Sequence, residues 1–134
     1  MLNKLQLIGH VGQEPVIRST KNGKRMAIIS IATSEKYTDK SGQQQQKTEW
    51  HECIFFEALA KVVEDWVKKG AKLYVEGKIQ TSKYQTEQGE DRYKTQVLGA
   101  RLIMLDGAKQ STNPKSQAAP VHAPPAFQDD DIPF

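Results

Sequence analysis

The chain has 134 residues, of which 37% are hydrophobic, 26% are charged and one is a cysteine. One domain with a tail fits that length, a single cysteine excludes an intrachain disulfide or a cysteine-rich zinc site, and no apolar run resembles a signal peptide or a membrane span, so a cytoplasmic protein is expected. Residues 1–106 carry 17 Lys and Arg against 13 Asp and Glu, a balance of +4 that permits nucleic-acid binding, whereas residues 107–134 carry two lysines against three aspartates.

Leu5, Leu7 and Val11 alternate with polar neighbours and read as a first strand, with Gly9 marking a bend or bulge. Val16 to Ser19 extends that edge, and Asn22-Gly23 predicts a type I′ turn. Arg25 to Ser34 is apolar on both sides and reads as a central strand. Glu35 to Lys47, with the glutamine run Gln43 to Gln46, has no apolar anchor and reads as a long exposed loop.

Thr48 to Glu57 is an aromatic-rich strand. Trp50, Glu52, Ile54 and Phe56 share one face, and His51, Cys53 and Phe55 share the other. Ala58 to Lys69 predicts a helix whose stripe of Leu59, Val62, Val63, Trp66 and Val67 faces the core, with Gly70 as the C′ residue. Lys72 to Tyr84 alternates, placing Leu73, Val75, Gly77 and Ile79 inward. A hairpin centred on Gly89 leads to the last strand, Arg92 to Leu105, kinked at Gly99.

Three strands, a helix and two strands give the element order of an OB-fold. This all-β class is a five-stranded Greek-key barrel with one α-helix between strands 3 and 4. Residues 1–106 form that domain. Residues 107–128, built from Ser, Thr, Asn, Pro, Gln and Ala, read as a disordered linker, and residues 129–134 as an acidic tip. His10, His51 and His122 are scattered, Cys53 reads as a small buried hydrophobe, and no phosphate-cradling or metalloenzyme motif occurs. Neither catalysis, a metal nor a cofactor is expected.

Four rings, Tyr37, Trp50, Phe56 and Tyr84, are interleaved with Lys36, Lys40, Lys72, Lys78, Lys83 and Arg92. Such rings either pack a core or stack on unpaired bases, each stack contributing about 1–3 kcal/mol whatever the base, while lysines follow the phosphates. Duplexes hide their base faces, so a stacking platform selects single strands. The tip combines Asp129, Asp130 and Asp131 with Ile132, Pro133 and Phe134. It suits a hydrophobic pocket rimmed by basic residues, or else serves as a solubilising tail.

Leu7-Ile8-Gly9 with Gly12, Ala32-Thr33-Ser34-Glu35, Thr48-Glu49-Trp50-His51, Lys69-Gly70, Tyr74-Val75-Glu76-Gly77, Gly89 with Asp91-Arg92-Tyr93, and Ile132-Pro133-Phe134 stand together in one chain. Over nearly its whole length the sequence resembles the bacterial single-stranded DNA-binding proteins. The resemblance implies a homotetramer of OB-folds in the bacterial cytoplasm, at the nucleoid. It wraps single-stranded DNA during replication, recombination and repair, and its tip recruits partner enzymes. By position, the resemblance makes Trp50 and Phe56 the central stacking residues and puts Tyr37 and Tyr84 in place of tryptophans. It puts Glu52, Gln80 and Ser82 where basic residues are common, and His51 near a subunit interface. Two other readings stay open: a replication-restart or assembly adaptor acting through protein contacts, and an RNA-binding OB module.

Overall fold

The computed structural model describes residues 1–106; the predicted linker and tip lie outside the described residues. The elements are β1 (Leu5–Val11), β2 (Val16–Ser19), β3 (Arg25–Thr38), β4 (Gln44–Phe56), α1 (Glu57–Trp66), β5 (Lys72–Gln85) and β6 (Asp91–Met104).

β1 closes the barrel. It pairs with β5 from Leu5 to His10, then meets β3 through His10↔Ala32 and Val11↔Ile31. Gly9 stands at the transfer. A methyl group there would collide with the Ala32 carbonyl oxygen and lie 2.7 Å from Ile31 Cγ2, so only glycine lets the strands cross this closely. The neighbours run β1-β5-β6-β4-β3 and back to β1, a closed five-stranded barrel, with β2 continuing the β1 edge along β3. This is the OB-fold that the element order predicts.

Alternation fills the interior with Leu7, Val11, Ala27, Ile29, Ile31, Cys53, Phe55, Leu73, Val75 and Val97. Helix α1 adds Ala60 and Val63, and Val67 follows as its C-cap. The helix stops at Trp66, so Lys68 and Lys69 lie beyond it, and Gly70, at φ 88°, serves the following turn. Trp66 is 67% exposed, which corrects its predicted place in the core. Within the helix the buried positions 60 and 63 define a narrower stripe than the apolar residues suggest. Trp66 falls on its flank, about 60° around the helix from Val63 and about 120° from Ala60. Ile79 has the inward parity of β5 but is 46% exposed, because β5 continues past the closed part of the barrel. The kink near Gly99 is a bulge: Gly77 pairs with Gly99 but Glu76 pairs with Arg101.

The predicted loop over Glu35–Lys47 is mostly strand. β3 and β4 remain paired out to Thr38↔Gln44. Both faces of this arm are polar, so it carries no hydrophobic period by which a strand would be recognised. One turn geometry serves all three hairpins. Gly23, Gly42 and Gly89 donate to the carbonyls of Thr20, Asp39 and Thr86, and each glycine has φ near 80°. Asn22 does not take the positive φ that a type I′ turn requires; the loop places Gly23 alone in the left-handed region. The Asp39 carboxylate accepts hydrogen bonds from the Ser41 and Gln43 amides, which organises the β3–β4 tip. β4 pairs parallel with β6 through Cys53↔Val97 and Ile54↔Leu98, so both hairpin arms leave the barrel at the same end.

Urea unfolding separates the two large side chains by role. Phe55→Ala, fully buried against Gly99, should cost about 3–5 kcal/mol. Trp66→Ala should cost less than about 1 kcal/mol, as an exposed substitution. Equal losses would contradict the packing described.

Candidate nucleic-acid interface

Residues paired across antiparallel strands share a face, so the register states which side chains meet. Trp50, Glu52, Ile54 and Phe56 of β4 lie beside Ala32, Ser30, Ile28 and Met26 of β3. Because Cys53 and Phe55 fill the interior, this set faces out. On the other arm Lys78, Gln80, Ser82 and Tyr84 lie beside Leu98, Gln96, Lys94 and Arg92. Glu52 joins the two halves: Gln96 Nε2 donates to it, and Lys94 Nζ sits 2.8 Å from its Oε1.

Three of the four predicted rings share this outer surface. Trp50 is 57% exposed, Tyr84 47% and Phe56 37%. Tyr37 opposes Gln45 and lies on the other face of the β3–β4 arm. Lys36, Lys78 and Arg92 share the face of Trp50, and Lys40 lies in the turn between β3 and β4. Lys83 lies on the opposite face of β5 and is paired with Asp91 at 3.0 Å. Lys72 lies at the other end of β5 from Tyr84, about 40 Å of strand away; it opposes His10, which opposes Ala32, the partner of Trp50, and its amide is bonded to Asp106.

Two exposed rings were missed by sequence reasoning. Trp66 is one, and Tyr93, 71% exposed beside Lys83, is the other. Tyr93 shares the parity of buried Val97, but it lies four residues out along the arm, where no core remains to receive it. Counting outward from the last buried position would have found it.

Electrostatics moderates the surface. Partial burial pushes the Glu52 carboxyl up, yet the hydrogen bonds from Lys94 and Gln96 outweigh it and hold the group below its ordinary value. Glu52 is therefore ionised at neutral pH and occupies the Lys94 ammonium. Inside the barrel, burial and then the Glu52 charge push the Cys53 thiol up to about 12, which removes it as a nucleophile. His51 Nε2 is 2.8 Å from Thr33 Oγ1, which fixes the ring along the β3–β4 ladder. Among the described residues, no group of three His, Cys, Asp or Glu is placed to hold a metal, and no helix is long and apolar enough to cross a membrane.

The profile of the single-strand binding protein family matches residues 2–105. The chain belongs to that family. Its membership places it among binding proteins rather than enzymes. The single-stranded DNA-binding protein of Rhizobium meliloti (strain 1021) is 52% identical over 112 residues, covering 79% of this chain and 64% of that relative. The chain thus spans under two thirds of that relative's length. Single-stranded DNA-binding protein 1 of Xylella fastidiosa (strain 9a5c) is 39% identical over 130 residues, covering 96% of this chain and 95% of the relative. Among solved structures, a Plasmodium falciparum SSB in complex with ssDNA superposes with a TM-score of 0.73 at 31% identity, over 79% of this chain and 97% of that one. A deletion mutant of the single-stranded DNA binding protein from Thermus aquaticus gives 0.69 at 27% identity, over 79% of this chain and 51% of that one.

The ion pair makes a specific demand on binding. Glu52→Gln keeps a hydrogen-bond acceptor for Gln96 but frees the Lys94 charge. The log–log salt slope for a short oligonucleotide should steepen by about 0.7, one phosphate's worth for a single strand. An unchanged slope would show that the phosphates run elsewhere.

Proposed function

We propose that this protein binds single-stranded DNA without regard to sequence and protects it during replication, recombination and repair. The observation that carries the reading is the open Trp50 ring at the centre of the outer β4 face. Phe56 and Tyr84 lie on the same surface, with Lys36, Lys78 and Arg92 among them. Flat rings take any base and cations take any phosphate, so the surface is selective for unpaired strands and indifferent to sequence. The names of the two relatives and the ssDNA complex of the Plasmodium structure support it. Tyr37 contributes from the reverse face of its arm, which suits a strand that passes around the arm rather than across one plane.

The working form in this proposal is a homotetramer in the bacterial cytoplasm, at the nucleoid. Ile8, Tyr74 and Ile103 lie side by side across β1, β5 and β6 on the outer face, and Ile8 is 56% exposed. An apolar row on a sheet with the open edge of β1 favours self-association. The tip, Asp129 to Phe134, recruits partner enzymes that offer a hydrophobic pocket with a basic rim.

Trp50→Ala should weaken oligothymidylate binding by roughly 1–3 kcal/mol while leaving the domain folded. Competition with RNA and duplex should favour the DNA single strand; preference for RNA would support the RNA-binding reading, and no nucleic-acid binding the adaptor reading. Light scattering should give about four times the 15.1 kDa chain mass, and Ile8→Asp should lower it. A native mass equal to one chain would contradict the assembly. Removing Phe134 should abolish binding of a partner helicase or nuclease while sparing DNA affinity. Normal partner binding without Phe134 would reduce the tip to a solubilising tail.

A further inference from the structure

Gly12 follows the last residue of β1, and its amide donates to the Ser30 carbonyl of β3 at 2.9 Å. Its φ is not in the left-handed region, so its backbone is open to alanine. Space is what excludes a side chain. A methyl group on Gly12 would overlap Cζ3 of Trp50 and lie 2.7 Å from Cη2 and 3.4 Å from Cε3. These atoms belong to the six-membered ring of the indole. The ring therefore reaches across β3, whose residue opposite Trp50 is the small Ala32, and comes to rest on the bare backbone of Gly12.

Given the single-strand-binding reading of the outer face, we propose that Gly12 is a positioning residue for Trp50. It is the seat that holds the indole on one side while the rest of the ring, within a side chain 57% exposed, stays open to a base. An exposed tryptophan has several rotamers, and binding must otherwise select one of them. A ring already held in its stacking pose avoids that loss of freedom.

The position differs in kind from the crowded glycines of the barrel. At Gly9 the obstacle is the Ala32 carbonyl, and at Gly99 it is the buried Phe55 ring; neither has anywhere to go. At Gly12 the obstacle is the free end of an exposed side chain, which swings away. A methyl group at Gly12 is thus directed at ligand binding rather than at stability.

The test is a mutant cycle on the full chain. Gly12→Ala should leave the melting temperature and the oligomeric mass unchanged, move the Trp50 indole N–H resonance, and weaken oligothymidylate binding about tenfold, within the range of one base stack. In a Trp50→Phe background, whose shorter ring lacks the far edge of the indole, Gly12→Ala should cause no further loss. An equal loss in both backgrounds would assign Gly12 a role independent of the ring and overturn the proposal. Unaltered affinity with the native ring would do the same. A measurement on the native protein stands apart from the folding of any Gly12 variant. The Gly12 Hα resonances should carry a ring-current displacement that disappears in Trp50→Leu; its absence from the native spectrum would also refute the seat. Should Trp50→Ala leave single-strand binding untouched while that displacement is present, the functional reading fails and the seat stands.

Discussion

The close crossing of β1 over β3 at Gly9 is the constraint on which the molecule depends. β1 is the one strand that pairs with both β5 and β3, so its passage between them turns a curved sheet into a barrel. Closure removes the sheet edges that would otherwise invite pairing with other chains over most of the perimeter. It also fixes β4 with Cys53 and Phe55 inward, and alternation then leaves Trp50, Glu52 and Phe56 no face but the outer one. The same strand is followed directly by Gly12, against which the Trp50 ring lies. Barrel closure and ring orientation thus share a seven-residue strand and the glycine after it.

Above the barrel the balance of forces changes. The β3–β4 and β5–β6 arms have no core, and backbone ladders, tight glycine turns and side-chain pairs such as Thr81 with Thr95 hold them. Exposed ion pairs there, including Lys83–Asp91, contribute little to stability. Their effect is on the field that an approaching strand meets. Glu52 matters most, because it sits between two arms that are otherwise positive or neutral on this face and ties down Lys94. In the proposed binding mode, stacking on Trp50 therefore carries more of the interaction than it would on a face with a basic residue at position 52.

The barrel was legible in the sequence because its strands alternate and its single helix is amphipathic. The faces of β4 followed from the positions of Cys53 and Phe55 alone. The arm over residues 35–47 was not legible, since a ladder with two solvated faces leaves no hydrophobic period; its signal lay in Asp39 and Gly42, a turn centred within the segment. Apolar identity widens the helix stripe to include Trp66, whereas burial follows the small residues Ala60 and Val63 that let the helix approach the sheet. Residue type groups Tyr37 with Trp50, and only the register separates their faces. The contact between Gly12 and Trp50, 38 residues apart in sequence, has no local signature at all.

Two single-tryptophan proteins test the central claim most directly. With Trp66 replaced by Phe, the remaining emission comes from Trp50, and saturating oligothymidylate should quench and shift it strongly. With Trp50 replaced by Phe, the emission of Trp66 should remain nearly constant under the same titration. Strong quenching of Trp66 with a silent Trp50 would contradict the account, because it would place the strand on the helix side of the barrel and not on the outer face of β4.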